Sequence, residues 1–154
     1  MRKAAVALTA ALALAGCAQS GDGPGGTTAP TSPPAAGLQQ VRVLADESLK
    51  KSFDQVETSF EVQNPSTEIV LTYGEGIDLA RQITGGQAAE VFVTEDPSAM
   101  ATVTSSGFSF GQAESIGSGL LSIIAVTEPG EPFVTFVLEG DGKRVLTDTG
   151  LLRP

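Results

Sequence analysis

"EIVLTYGEGIDLARQITGGQAAEVFVT", residues 68–94, is the stretch on which the fold depends. It opens with a β-rich run, EIVLTY (68–73), and turns through Gly74-Glu75-Gly76. Leu79, Ala80 and Ile83 then recur at helical spacing, Gly85-Gly86 stops the helix, and EVFVT (90–94) forms a second β-rich run. Strand, helix and strand in so short a span predict a right-handed βαβ unit with parallel strands.

The alternation continues outward. Upstream, VRVLA (41–45) reads as a strand. The following SLKKSFDQVETSFEVQ (48–63) places Leu49, Phe53, Val56 and Phe60 on one helical face and stops at Asn64-Pro65. Downstream, DPSAMATVTS (96–105) starts as a helix, with Asp96 as N-cap and Pro97 in the first turn. GLLSIIAV (119–126) reads as a continuously apolar strand. PFVTFVLEGDGKRVLTDTG (132–150) reads as two helical pieces broken at Gly140–Gly142 and capped by Gly150. The expected class is α/β, a mostly parallel sheet with flanking helices. In such sheets ligands sit beyond the carboxyl ends of the strands. That directs attention to the turns ADESL (45–49) and YGEGI (73–77), which lie on one edge.

Composition narrows the chemistry. The chain carries 18 Asp and Glu against 9 Lys and Arg, for a net charge of −9, and its basic residues form no stripe. Nucleic-acid binding needs clustered cations to displace counterions and is not expected. Histidine is absent and Cys17 is the lone cysteine. Ser–His and Cys–His catalysis, Cys/His zinc sites and an intrachain disulfide are thereby excluded.

The cysteine has a context. Arg2 and Lys3 precede the apolar run Ala4–Leu14, too short to span a bilayer, and Leu14-Ala15-Gly16-Cys17 follows. LAGC resembles the lipobox of bacterial lipoproteins, in which the cysteine receives a diacylglycerol and becomes the first mature residue. Residues 1–16 are then a signal peptide. Cys17 is the lipid attachment, and acyl chains contribute roughly 0.8 kcal/mol per buried methylene to a membrane anchor. Residues 17–37, mostly Gly, Pro, Ser and Thr, read as a disordered tether, and the folded unit is expected over 38–154.

Several motifs carry no chemistry. Gly107-Phe108-Ser109-Phe110-Gly111 matches G-x-S-x-G, but Ser109 lacks a histidine base and the strand-turn-helix setting, so it reads as a surface loop. EGDG (139–142) lacks the alternating oxygens and final glutamate of a calcium loop and reads as a helix break. No carboxylate pair forms an acid–base couple, and no enzyme is expected. In the two turns, Ser48 could donate its hydroxyl to a ligand oxygen or simply serve the first helical turn. Gly74 and Gly76 allow close backbone approach or positive φ, or merely a tight turn.

Together, LADESL (44–49), YGEGIDLARQI (73–83) and GQAAEVFVTED (86–96) resemble, in order and spacing, the molybdate-binding proteins of ABC importers. Members of that family show A-A-A-S-L, G-S-S-G before L-A-x-Q-I, and G-A-P-A-D-x-F-x-S-A-D. The closing FVTFVLEGDGKRVLTDTGLLRP is similar to the family's F-V-x-F-L-L-S-P-E-G-Q-x-I-L-x-x-x-G-F. The resemblance implies one lobe of a type II periplasmic-binding-protein fold, lipid-anchored on the outer face of the cytoplasmic membrane or in the periplasm. It implies molybdate or tungstate as the transported ligand, no further cofactor, and ABC permease subunits as partners.

In the family, the serine of A-A-A-S-L and the second serine of G-S-S-G donate to the oxyanion. These map onto Ser48 and Gly76, and Gly76 has only its backbone N–H to offer. Asp46, Glu47 and Glu75 stand where small neutral residues are usual. One carboxylate 4 Å from a dianion would repel it by several kcal/mol at an effective dielectric near 20, more than a serine hydrogen bond of roughly 1.5–3 kcal/mol returns. Binding therefore requires these carboxylates to face solvent. Family members also clamp the ligand between two lobes, and the sequence expected to build the second is missing. Oxyanion binding is thus expected to be impaired or lost. The alternatives are an envelope lipoprotein acting by protein contact and an internally deleted remnant without function.

Overall fold

The computed structural model describes residues 37–152. The leader, Cys17 with its lipobox, and the tether through residue 36 lie outside the described residues. In chain order the elements are β1 (Gln39–Asp46), α1 (Lys50–Gln63), β2 (Thr67–Gly74), α2 (Gly76–Thr84), β3 (Val91–Thr94) and α3 (Pro97–Ser105). They are followed by β4 (Glu114–Ile116), β5 (Leu121–Ala125), α4 (Glu131–Glu139) and α5 (Asp141–Asp148). A 3-10 turn, Glu47–Leu49, joins β1 to α1. Asn64, ahead of Pro65, leaves the helical region (φ −127°, ψ 67°) and closes α1. The Asp96 carboxylate caps α3 by accepting from the Ser98 N–H at 2.8 Å.

The strands form one five-stranded sheet in the order β2-β1-β3-β5-β4. β1 runs parallel to both β2 and β3, as the βαβ pattern predicts. The apolar run expected as a further parallel strand, β5, is antiparallel to β3, and the unexpected short strand β4 is antiparallel to β5. The cause is local: β5 follows β4 through the turn Gly117–Leu120, and a turn that short joins only antiparallel strands. Continuous apolarity reports burial on both faces but carries no direction.

Alternation along the strands serves both faces. Val41, Val43 and Ala45 of β1, with Val91 and Val93 of β3, face the side covered by α1, α4 and α5, where Phe53, Val56, Phe133 and Leu146 are buried. Phe60 packs edge-on to Phe133 and Phe136, at 5.2 and 5.3 Å between ring centroids. Leu44, Phe92 and Ile124 face the other side, against Leu79 and Ile83 of α2 and Met100 and Val103 of α3.

One charged side chain is nearly buried in this sheet. Glu90, 8% exposed, receives Arg42 Nη2 at 2.8 Å, Arg42 Nε at 3.0 Å and the Arg42 backbone N–H at 2.7 Å. Burial pushes its carboxyl up, but the Arg42 hydrogen bonds and charge outweigh it and hold the group below its ordinary range. Removing the carboxylate leaves a guanidinium and a backbone N–H without their partner. Glu90→Ala is expected to lower unfolding free energy by about 2–3 kcal/mol, measured by urea denaturation at pH 7.

On α1, Glu57 is pushed up to about 7 by burial and by the neighbouring carboxylates of Glu61 and Asp54, only partly offset by Lys50. A carboxyl raised on folding favours its protonated native form. Its stabilising contribution is full below the ordinary value of 4.5 and is lost as pH rises through about 7. Glu57→Gln should therefore raise Tm at pH 8 relative to the unsubstituted chain, with the gap closing by pH 4.5.

Candidate functional site

Because β1, β2 and β3 are parallel, their carboxyl ends at Asp46, Gly74 and Thr94 share one edge of the sheet. Each hands over directly to a helical start: the 3-10 turn before α1, then α2 at Gly76 and α3 at Pro97. The candidate turns thus meet where the sequence places them.

At the centre of this edge is a polar cluster. Thr94 is fully buried and ends an otherwise apolar strand. Asp46 does not cap its own 3-10 turn. Its carboxylate reaches across to β3, where Oδ2 accepts from the Thr94 hydroxyl at 2.9 Å and the Glu95 N–H at 2.6 Å. Thr94 Oγ1 in turn accepts from the Asp96 N–H at 3.0 Å. The other carboxylate oxygen, Asp46 Oδ1, is buried and has no hydrogen-bond partner among the described residues.

The residues singled out in the sequence sit around this cluster. Ser48 is exposed, and its hydroxyl donates to Glu95 Oε2 at 2.8 Å; it neither caps a helix nor stands free. Gly76 is buried as the first residue of α2. Neither Gly74 nor Gly76 has a positive φ, so close approach is what position 76 requires. A Cβ there would collide with Thr94 Oγ1, lie 2.6 Å from Asp46 Oδ1 and 3.4 Å from the Ala99 methyl. Glu47 and Glu75 are exposed, as an oxyanion site requires, but Asp46 turns inward, against that requirement. Its like charge is held beside the backbone rather than dispersed into water. Cys17 lies outside the described residues.

The cations of these turns have partners of their own. Lys50 lies 3.4 Å from Asp54 and 4.5 Å from the centre of the Tyr73 ring, while Arg81 pairs with Asp78 at 2.8 Å. Tyr73 donates to Asp54 at 2.8 Å, and burial followed by that carboxylate pushes its phenol up. Among the described residues, no group of three or more His, Cys, Asp or Glu could hold a metal ion. Open clefts of about 470 and 430 Å³ lie elsewhere, one between Glu114 and α4, the other beside Glu57 and Glu68. Neither cleft is lined by Asp46, Ser48, Gly76 or Thr94 of the strand-end shelf.

The other motifs fall where the sequence puts them. Ser109 lies in the loop between α3 and β4, and EGDG breaks α4 from α5, with Asp141 paired to Arg144 at 2.9 Å. Thr94 and Glu95, by contrast, have no role in the sequence reading. Their signal was a polar residue closing the apolar run VFVT at a carboxyl end.

A side chain at position 76 must displace the Asp46–Thr94 pair. Gly76→Ser is expected to cost about 1–3 kcal/mol of stability by overpacking. Adding Asp46→Ala should recover part of that loss, read as a coupling free energy in a double-mutant denaturation cycle.

Comparison with known proteins gives this edge a lineage. The family model described as bacterial extracellular solute-binding protein matches residues 41–129. The molybdate-binding proteins ModA of Mycobacterium bovis and Mycobacterium tuberculosis are each 26% identical over 132 residues, covering 84% of this chain and 46% of theirs. The chain therefore spans about half the length of the curated relatives it matches. Among solved structures, the periplasmic molybdate-binding protein of Azotobacter vinelandii superposes with a TM-score of 0.46 at 19% identity, over 49% of this chain and 33% of that one.

Proposed function

The chain belongs to the bacterial extracellular solute-binding protein family, and on that premise we propose that it is the substrate-binding component of a molybdate or tungstate ABC transporter. The observation carrying this reading is that the family match, 41–129, includes all three strand ends of the shelf. The mycobacterial relatives, named for molybdate binding, supply the ligand class. In this reading the oxyanion meets the chain at the βα turns, near the Ser48 hydroxyl and the first turn of α2 at Gly76. Cys17 carries the lipid anchor on the outer face of the membrane, and ABC permease subunits are the partners. Binding is weakened in this reading because the shelf carries the charge of Asp46.

A second reading, protein contact without a small ligand, is favoured by exposed apolar side chains beside β4. Phe108 and Phe110, in the loop before it, are 48% and 50% exposed, and Leu120, in the turn after it, is 71% exposed. Thermal melts of the full chain in molybdate, tungstate and sulfate separate the two readings. A ligand at a hundred times its Kd adds about 2.7 kcal/mol, a shift of several degrees or more. Transport predicts a rise in millimolar molybdate or tungstate that exceeds the rise in sulfate. A cooperative melt indifferent to all three would overturn oxyanion binding and leave protein contact.

A further inference from the structure

The Asp46 carboxylate is placed as a ligand would be. Donors converge on Oδ2 from the end of β3, namely the Thr94 hydroxyl and the Glu95 N–H. Neither belongs to a charged group. Both sit at the carboxyl end of a parallel strand, where α/β sheets take ligands from outside the chain. The second oxygen, Oδ1, lies buried against Gly76 with no hydrogen bond among the described residues. Gly76 opens α2, a helix of nine residues, and the first amides of a helix have no acceptor within it. A carboxylate serving only as a structural tie would be expected to have both oxygens satisfied. This one satisfies the β3 side and leaves Oδ1, on the α2 side, without a bond among the described residues.

We infer that Asp46 is a tethered anion seated in the oxyanion position of the shelf, so that an external oxyanion binds only by displacing it. The inference rests on the proposed function for the class of ligand. It adds the residue that sets the affinity and the reason for the glycine at 76: the space a side chain would fill there is occupied by the Asp46–Thr94 pair. Displacement must break two hydrogen bonds and leave the evicted carboxylate beside the incoming anion. A covalently attached competitor is also present at a high effective concentration.

The test is calorimetric titration of sodium molybdate into the full chain and its Asp46→Ala, Asp46→Ser and Glu75→Gln variants. The serine variant guards against poor folding of the alanine one. Removing Asp46 frees the Thr94 and Glu95 donors, and either variant should bind molybdate on the order of a hundredfold more tightly than the unsubstituted chain. Glu75 is exposed and belongs to the same turn, so neutralising it should change Kd by less than about threefold, as expected of a screened surface charge. An equal gain from Glu75→Gln would assign the block to diffuse repulsion and overturn the inference. If the unsubstituted chain binds and the Asp46 variants bind no tighter, the inference fails alone and the transport reading stands. If only the Asp46 variants bind, the inference holds and the unsubstituted chain is not an oxyanion carrier. If none binds, both fail.

Discussion

The register of β1 against β3 is the constraint on which the rest depends. Three apolar rungs, Val43–Val91, Leu44–Phe92 and Ala45–Val93, pair the strands. A polar contact closes each end: Arg42 with Glu90 before them, Asp46 with Thr94 after them. Hydrophobic rungs favour burial but discriminate weakly between neighbouring registers once both faces are covered. The polar ends discriminate strongly, because a slip of one residue would strand Glu90 and Thr94 without partners in the interior. With the register fixed, the helical starts after β1 and β3 come to the same edge at the same height. The shelf is thus a by-product of strand pairing.

Much of this was legible in the sequence, and the limits have physical causes. The βαβ unit showed because its strands and helix each contain a complete period of apolar residues between glycine stops. α1 showed because Leu49, Phe53, Val56 and Phe60 repeat over three turns before Pro65. β4 did not, because Glu-Ser-Ile is too short to display a period and exists only through its pairing with β5. The direction of β5 was hidden for the reason that exposes its burial: Leu121, Ile123 and Ile124 are apolar whichever way the strand runs.

The site was legible at the level of turns but not of contacts. Ser48 and Gly76 lie in the two turns that the sequence singles out, at the ends of β1 and β2. What decides their chemistry is Asp46 meeting Thr94 and Glu95, residues 48 and 49 positions away. No local pattern encodes a bond across that separation. The sequence leaves the orientation of Asp46 open, and the end of β3, packed beside it, turns it inward. Ser48 likewise spends its hydroxyl on Glu95, a residue of the neighbouring turn. The acidity of the turns, which argues against an anion ligand there, is at Asp46 an anion already supplied.

The hairpin between β4 and β5 has a consequence for how such a chain can grow. Ile116 and Leu121 are paired neighbours, so the chain leaves the sheet and returns to it at points about 5 Å apart. Gly117 and Gly119 take left-handed conformations to make that return. Lengthening a connection between fixed points costs only about 0.6 kcal/mol for each doubling. A whole folded module could be spliced between these two positions while the paired strands on either side kept their register. The turn is a natural port of insertion, whose tight closure leaves the rest of the sheet indifferent to how much polypeptide it carries.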